Sequence, residues 1–405
     1  MGQTIISRCL QVFVALSLAS CGGDDPASSN QQPVASPCAG LPVDRFKELV
    51  IVEPSVIGDA RARNDANGPW SFRHLIEKMV PPGISPSDFV QAWVGTYDSQ
   101  TRFNRFTVPS RPRADEVLLC PWLLETPENG CDSTCTNCTA RTLDMAKAPF
   151  RLIALTNRID LRLTEAAATA GESRFVFAAT RGPGDDPASP PLRMTVGIEY
   201  RNPSDEGRTA RYWAERWHQL GAHATYDGAF LNDLESLYAQ VVARPANGEL
   251  SWLNQIRTNE VEFDWQWDMR EFLLSSGGLQ LAATARTPDK SVNGTQALAD
   301  FVRANREAIL LGQHTIPKDL EGAFAQITAP WVVPGVDETL RNAFANSTCD
   351  GCHQSRQELR TENFHISPFD EGAARLSRFL NDPANPENDE LARRAASLRD
   401  ALCGN

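Results

Sequence analysis

The hydrophobic positions of the chain follow two periodicities, and each predicts a different kind of element. In residues 71–80 and 85–94, apolar side chains recur three and four positions apart, which is typical of one buried helix face. Ser85 followed by Pro86 is a typical helix start, because serine can cap the first turn and proline suits the first helical position. Thr295 is expected to cap a later helix in the same way.

Strand-like runs lie at 150–161, 173–180 and 193–201. In the last run apolar residues alternate with polar or small ones, which predicts a strand with one buried face. The Ser-Ser-Gly-Gly string at 275–278 separates two further runs and predicts a hairpin turn. Because helices and strands do not alternate regularly, we predict an α+β body around an antiparallel or mixed sheet, spanning 38–334.

Composition and charge narrow the class of protein. Hydrophobic residues make up 41% of the chain and charged residues 22%, which are values typical of folded globular proteins. The net charge of −12 argues against binding to nucleic acid or to anionic lipid headgroups. We therefore predict no nucleic-acid partner and favour a basic protein or a small molecule.

The first 37 residues are predicted to be an export signal followed by a tether. Arg8 is the only charged side chain before an apolar stretch of about a dozen residues, which is too short for a membrane span but suits a signal peptide over 1–20. The string "LASC" that ends at Cys21 resembles the lipobox of bacterial lipoproteins. That resemblance implies that Cys21 carries a lipid anchor in the cell envelope, and Gly22 favours the outer membrane of a Gram-negative bacterium. Residues 21–37 then form a solvated tether, and an ordinary secretory signal is the alternative.

An exported chain is expected to use most of its cysteines in disulfides. The candidates are Cys38, Cys120, Cys131, Cys135, Cys138 and Cys403. Four of them are crowded into residues 120–138, where a zinc knuckle is the alternative. Cys120 and Cys131 are too far apart in sequence for a chelating pair, so disulfides are preferred there, with the connectivity left open.

The string "NSTCDGCHQS" at 346–355 carries the most specific chemistry. It places Cys349 and Cys352 two residues apart, with His353 directly after them. A predicted helix runs straight into the string, a short helical run is predicted at 373–380, and an amphipathic helix closes the chain. This order resembles the c-type cytochrome fold, and the resemblance covers about 70 residues, 335–405, as a small all-α segment.

The resemblance implies that Cys349 and Cys352 form thioethers to haem c and that His353 is the proximal iron ligand. Cytochromes of this class commonly use a distal methionine, but no methionine follows Met269. We therefore predict His365, twelve residues after His353, as the second metal ligand. An open or water-bound iron is the alternative.

The body offers weaker signals. Four charged residues beside apolar ones predict a buried ion-pair network or a polar pocket, with ordinary strand-edge salt bridges as the alternative: Arg158, Asp160, Arg270 and Glu271. Five tryptophans predict either a ligand groove or core packing: Trp213, Trp217, Trp252, Trp265 and Trp267.

As a whole, the chain resembles an uncharacterised group of exported bacterial lipoproteins with a similar Cys-x-x-Cys-His string near the C-terminus. We predict a membrane-anchored monohaem c-type cytochrome in electron transfer, whose body docks a periplasmic or outer-membrane redox protein. The alternative is a non-redox binding or scaffold lipoprotein in which Cys349 and Cys352 bond to each other or to Cys403. An enzyme with an open iron position is a third class, so the sequence leaves enzymatic activity undecided.

Overall fold

The computed structural model describes residues 40–163, 169–204, 207–310, 312, 314–326, 330–354, 363–370, 373–385 and 389–404. The predicted signal peptide, Cys21, the tether and Cys38 lie outside these residues. All described residues belong to one compact unit.

The described residues contain twelve α-helices and twelve strands. The helices are α1 (Arg45–Glu48), α2 (Pro54–Ile57), α3 (Phe72–Met79), α4 (Pro86–Gly95), α5 (Cys120–Leu124), α6 (Ala210–Leu220), α7 (Gly228–Val241), α8 (Gln296–Ala304), α9 (Arg306–Leu310), α10 (Glu338–Ser347), α11 (Cys349–Gln354) and α12 (Glu390–Cys403). The strands are β1 (Val50–Ile51), β2 (Thr101–Phe103), β3 (Phe106–Val108), β4 (Phe150–Arg158), β5 (Glu172–Thr180), β6 (Pro191–Arg201), β7 (Leu253–Glu260), β8 (Asp268–Ser275), β9 (Gly278–Ala282), β10 (Ala325–Gln326), β11 (Ile366–Asp370) and β12 (Ala373–Leu376).

Eight of these strands form one antiparallel sheet. Its order is β1-β4-β5-β6-β7-β8-β10, and β9 also pairs with β8. The predicted hairpin turn at 275–278 joins β8 to β9, with Gly278 at a φ of 109° that favours glycine. The prediction of an α+β protein with a large antiparallel sheet is confirmed.

One face of the sheet carries the main hydrophobic core. Phe72 of α3 stacks on Phe150 of β4 with ring centroids 4.0 Å apart. The predicted caps start their helices as expected, since Ser85 accepts the N–H of Asp88 and Thr295 accepts that of Leu298. Helices α3 and α4 belong to this core, whereas α8 packs in a separate cluster with α10.

The C-terminal segment covers the other face of the sheet, and it is not all-α in the described residues. Strands β11 and β12 form a hairpin in which Ala374 packs on Ile153 and Ala178 of the sheet. The run 373–380, predicted as helical, begins with β12, because a short apolar run does not distinguish a helix from a strand. Helix α12 belongs to the main core through Leu391 and its neighbours. A separate all-α cytochrome-like segment is therefore not confirmed.

The C-terminal segment, by covering the second face of the sheet, also changes the burial of β6. The sequence predicts a half-buried strand, but Thr195 and Glu199 on its polar side are only 5% and 4% exposed. Both faces of β6 are buried because the C-terminal segment lies over the polar one. That face becomes the wall of a cavity.

The cysteine cluster at 120–138 forms two disulfides, Cys120–Cys135 and Cys131–Cys138. Both bonds consume the thiolates that the zinc alternative requires. Cys403 is also disulfide-bonded. The arrangement is the one that the sequence analysis preferred.

Removing the Cys120–Cys135 bond with a paired alanine substitution is expected to lower the free energy of unfolding by about 3 kcal/mol, the value for a closed loop of about 15 residues. Removing the Cys131–Cys138 bond, which closes a shorter loop, is expected to cost less. Urea unfolding of both variants measures the difference. Alkylation of all four wild-type cysteines without reductant would contradict the pairing.

Candidate haem-attachment site

A cavity of about 890 Å³ lies between the polar face of the sheet and the C-terminal segment. This volume falls within the range of about 300–1,000 Å³ found for small-molecule and cofactor sites. The sheet side is lined by charged residues, including Arg158, Glu172, Arg174, Glu199 and Arg257. The C-terminal side contributes Cys349, Cys352, His353, His365 and Phe379. All four residues predicted to hold the haem and its iron therefore meet at one cavity.

The Cys-x-x-Cys-His string lies on its own short helix. The sequence predicts one helix running straight into it, but Thr348 adopts an extended ψ of 152° and separates α10 from α11. Its Oγ1 donates to the carbonyl of Ala345 at 2.8 Å and accepts the N–H of Gly351 at 3.1 Å. Thr348 therefore ends α10 and caps α11. Both cysteines and His353 consequently lie on the same short helix.

The two residues between the cysteines hold this turn in place. Asp350 is fully buried, forms an ion pair with Lys290, and accepts the indole N–H of Trp331 at 3.1 Å. A Cβ atom on Gly351 would lie 1.9 Å from the carbonyl oxygen of Ala345. Only glycine allows this approach of α11 to the end of α10.

Gly351→Ala is therefore expected to destabilise the protein by about 1–3 kcal/mol, as overpacking of a tight core site does. Gly228→Ala is the matched control, because nothing lies within 4 Å of a Cβ at the start of α7. That variant is expected to be neutral or slightly stabilising. Thermal unfolding of both variants checks the difference, and equal melting temperatures would contradict the close approach.

Cys349 and Cys352 are not disulfide-bonded, whereas the other cysteines within the described residues are. The backbone N–H of Cys349 donates to Thr287 Oγ1 at 2.8 Å, which fixes the start of α11. Burial, together with nearby Glu271, raises the pKa of the Cys349 thiol to about 12. A thiol protonated at neutral pH is the opposite of the low-pKa thiolate that a redox-active dithiol uses.

His353 is held as a neutral imidazole. Its Nδ1 lies 2.6 Å from the carbonyl oxygen of Asn363, so Nδ1 carries the proton and donates it. Burial lowers the pKa of His353 to about 4, in spite of that hydrogen bond. No hydrogen bond to Nε2 is present among the described residues. A histidine whose Nδ1–H is held by a backbone carbonyl presents Nε2 as a metal ligand.

Four aromatic rings lie in a row beside the cavity, each tilted by 30–41° to the next. The ring centroids of Trp267 and His353 are 4.9 Å apart, those of His353 and His365 are 4.2 Å apart, and those of His365 and Phe379 are 4.4 Å apart. Two imidazole rings whose centroids are only 4.2 Å apart leave no room for a porphyrin between them. His365 stays a predicted iron ligand, but this role requires the two rings to part. The connecting residues 355–362 lie outside the described part of the chain.

The cavity wall on the sheet is a ladder of ion pairs. Arg174 lies 3.2 Å from Glu199, and Arg257 lies 3.4 Å from Glu199 and 3.1 Å from Glu271. Burial alone would raise the pKa of Glu199, but the two arginines hold it below its usual value. Arg286 also lines the cavity and forms no ion pair within the described residues. The cavity therefore offers positive charge to an anionic group.

The charged residues singled out in the body separate into two places. Arg158 and Asp160 form an ion pair of 2.7 Å at the cavity, and Glu271 pairs with Arg257 nearby. Arg270 instead pairs with Asp268 at 3.1 Å and donates to the carbonyl of Pro109, away from the cavity lining. The polar-pocket interpretation therefore holds for Arg158 and Asp160, which line the cavity, whereas Glu271 and Arg270 belong to buried ion pairs.

The sequence did not predict the residues that hold His353 in position. The Trp267 indole N–H donates to Asn259 Oδ1, and Asn259 Nδ2 donates at 3.3 Å to the same Asn363 carbonyl that accepts from His353. Asn259 and Asn363 are 104 positions apart, so no local pattern joins them. Among the tryptophans, Trp213 and Trp217 are core residues.

Within the described ranges, no group of three or more His, Cys, Asp or Glu side chains has the arrangement of a metal site. No helix in those ranges is long and apolar enough to cross a membrane. No protein-family model matches the chain, and no curated protein or solved structure is detectably similar to it.

Proposed function

We propose that the protein is an exported, membrane-anchored monohaem c-type cytochrome that transfers single electrons. The observation that carries this proposal is that Cys349 and Cys352 are not disulfide-bonded, in a chain whose other described cysteines are. Thiols in an oxidising compartment tend to pair. Two thiols kept apart from disulfides at the edge of a cofactor-sized cavity suit attachment to the two vinyl groups of a haem.

The residues fit a haem c on the thiol side of the cavity. Cys349 and Cys352 would hold it through thioethers, and Nε2 of His353 would bind the iron. The Asn363 carbonyl fixes the tautomer of His353. Arg286 would supply positive charge for a propionate. The bound group supplies one-electron chemistry, and the chain positions it and shields it from water.

In this proposal the haem segment is not an independently folded cytochrome domain. We keep its bounds at 335–405, but α12 contributes Leu391, Ala395 and Leu398 to the core of the body. A segment of about 70 residues buries too little apolar surface to be stable alone. Packing against the sheet supplies the missing surface, so the body and the haem segment are proposed to fold together.

The scaffold alternative needs a disulfide at the string. Cys349 and Cys352 are not bonded to each other, and Cys403 is disulfide-bonded but to neither of them. These two observations favour haem attachment over a structural disulfide.

A redox titration tests the proposal. Protein co-expressed with cytochrome c maturation factors is expected to be reduced by dithionite and reoxidised by ferricyanide, with one electron per chain and isosbestic spectra. Carbon monoxide is expected not to bind the reduced wild type if both axial positions are filled. Rapid binding of carbon monoxide and peroxide turnover would instead favour an enzyme with an open iron position.

The lipid anchor is proposed from the lipobox-like string that ends at Cys21, outside the described residues. Cys21→Ser is expected to release the protein from the membrane fraction, because the thiol that carries the lipid is lost. Immunoblots of membrane and soluble fractions measure this, with Cys9→Ser as the control that stays bound. If the Cys21 variant stays in the membrane fraction and wild type incorporates no labelled palmitate, the anchor proposal fails.

A further inference from the structure

Trp265 is held in solvent by the fold. It is 83% exposed, more than any other large hydrophobic side chain in the described residues. Its φ of 56° lies in the left-handed region, which is unfavourable for a bulky residue. It lies in the connection between β7 and β8, residues 261–267, called here the port turn. Trp265 therefore combines two unfavourable features, an exposed indole and a strained backbone.

A buried arginine fixes the port turn. Arg111 is fully buried, lies 2.7 Å from Glu260 and 3.1 Å from Asp264, and donates to the carbonyl of Gln266. Glu260 in turn accepts the N–H of Phe263 at 2.9 Å. The backbone on both sides of Trp265 is thus tied to the interior, so the exposed indole is presented by a rigid support.

The port turn also reaches the proposed iron ligand. Trp267, two residues after Trp265, is 2% exposed and stacks on His353 at 4.9 Å. The same indole is linked to His353 through Asn259 and the carbonyl of Asn363. The backbone of residues 265–267 therefore joins the exposed Trp265 to Trp267, and ring contact and hydrogen bonds join Trp267 to the ring that would bind the iron.

We propose that the port turn is the docking and electron-exchange site for a basic one-electron carrier protein, with Trp265 as its contact and Trp267 as its link to His353. This inference rests on the proposed function. One electron would pass from the reduced haem that Cys349, Cys352 and His353 would hold to the oxidised metal centre of the carrier. The haem iron is then oxidised and the carrier's metal reduced by one electron each, with no bond made or broken. Exposed tryptophans are typical anchors of protein interfaces.

Charge decides the kind of carrier. The net charge of −12 attracts a basic protein and repels an acidic one. Two arginines near the turn are already ion-paired, Arg113 with Glu116 at 3.9 Å and Arg181 with Glu262 at 2.7 Å. Asp264, beside Trp265, keeps a side chain that is 63% exposed. Arg193, whose backbone N–H donates to Glu262 Oε2 at 3.1 Å, is exposed and forms no ion pair within the described residues. The preference for a basic carrier therefore rests on the net charge of the whole chain.

The first test measures binding without electron transfer. The ferric protein is titrated by calorimetry, at low ionic strength, with ferric mitochondrial-type cytochrome c as the basic probe. Trp265→Ala is expected to weaken binding about tenfold or more, the effect of losing an aromatic anchor. Trp252→Ala is the matched control, because Trp252 is a part-exposed tryptophan beside the opposite end of β7. This control is expected to stay within about twofold of wild type.

The second test measures electron exchange with the same probe by stopped flow. Trp267→Phe is expected to bind the probe as wild type does but to exchange electrons more slowly, since it lacks the indole N–H that reaches Asn259. Asparagine suits the left-handed backbone better than tryptophan does. Trp265→Asn is therefore expected to unfold at a higher temperature than wild type and to bind the probe as weakly as Trp265→Ala does.

Wild-type binding and exchange rates in Trp265→Ala would overturn the proposal, as would a wild type that does not bind the basic probe. A wild type without covalent haem would count against the proposed function itself. Covalent haem with an unaffected Trp265→Ala variant would count against the port turn alone.

Discussion

Arg111→Ala is expected to lower the free energy of unfolding by about 3–5 kcal/mol, the cost of breaking a buried ion pair by removing one partner. Arg111 is fully buried, and its guanidinium lies 2.7 Å from Glu260 and 3.5 Å from Asp268. Both carboxylates are also fully buried. The substitution leaves them without their shared counter-charge, and only Arg270 still pairs with Asp268.

The cost of this substitution is expected to depend on pH. Burial raises the pKa of Glu260 from 4.5 to about 7, although Arg111 works against that rise. The raised pKa adds to the free energy of unfolding. This contribution is fully present below pH 4.5 and is lost as the pH rises through about 7. Without Arg111 the pKa of Glu260 rises further, so the loss continues above pH 7. Arg111→Ala is therefore expected to cost more at pH 8 than at pH 5.

Arg113→Ala is the control for this experiment. Arg113 lies two residues away and is 38% exposed; it lies 3.9 Å from Glu116 and donates to the carbonyl of Glu262 at 3.3 Å. An exposed pair of this kind contributes about 0–1 kcal/mol. Urea unfolding of both variants at the two pH values provides the comparison. A cost for Arg111→Ala that is equal to the control, or the same at both pH values, would contradict the buried network.

His365→Ala is expected to convert a low-spin haem protein into a high-spin one that binds carbon monoxide. This is the result if the ring of His365 moves from its 4.2 Å contact with His353 and fills the sixth position on the iron. Its Nδ1 already lies 3.3 Å from Ser377 Oγ, which can orient the ring. Ferric and ferrous absorption spectra, with and without carbon monoxide, measure the change.

His223→Ala is the control, because His223 pairs with Asp233 on another part of the protein. Its spectra are expected to match those of wild type. An unchanged low-spin spectrum in His365→Ala would show that another residue is the sixth ligand. A wild type that is already high-spin would show that His365 does not ligate.

The elements with local signals could be predicted from the sequence. Ser85 and Thr295 cap their helices, and Gly278 ends the hairpin turn, because capping and turn chemistry act within three or four residues. The crowded cysteines at 120–138 also predict disulfides before any fold is known. In each case the residues that interact are close in sequence.

The rest depends on contacts between distant residues. Thr195 and Glu199 resemble the solvent side of a strand, and only the C-terminal segment buries them. Arg111, in the polar string "SRPRAD", resembles a surface residue, but its partners are about 150 residues later. The stacking of Trp267 on His353 likewise joins β7–β8 to α11 and carries no local pattern. Tertiary packing decides these positions, and a single sequence does not encode it locally.

Covalent haem is the central claim, and a pyridine haemochrome spectrum of the purified, denatured protein tests it most directly. Protein co-expressed with cytochrome c maturation factors is expected to retain one haem per chain after acid-acetone extraction. The Cys349→Ser/Cys352→Ser variant is expected to lose it, whereas the Cys131→Ser/Cys138→Ser control keeps it. A wild type without haem, in which peptide mapping finds Cys349 bonded to Cys352, would contradict the account and favour the scaffold lipoprotein.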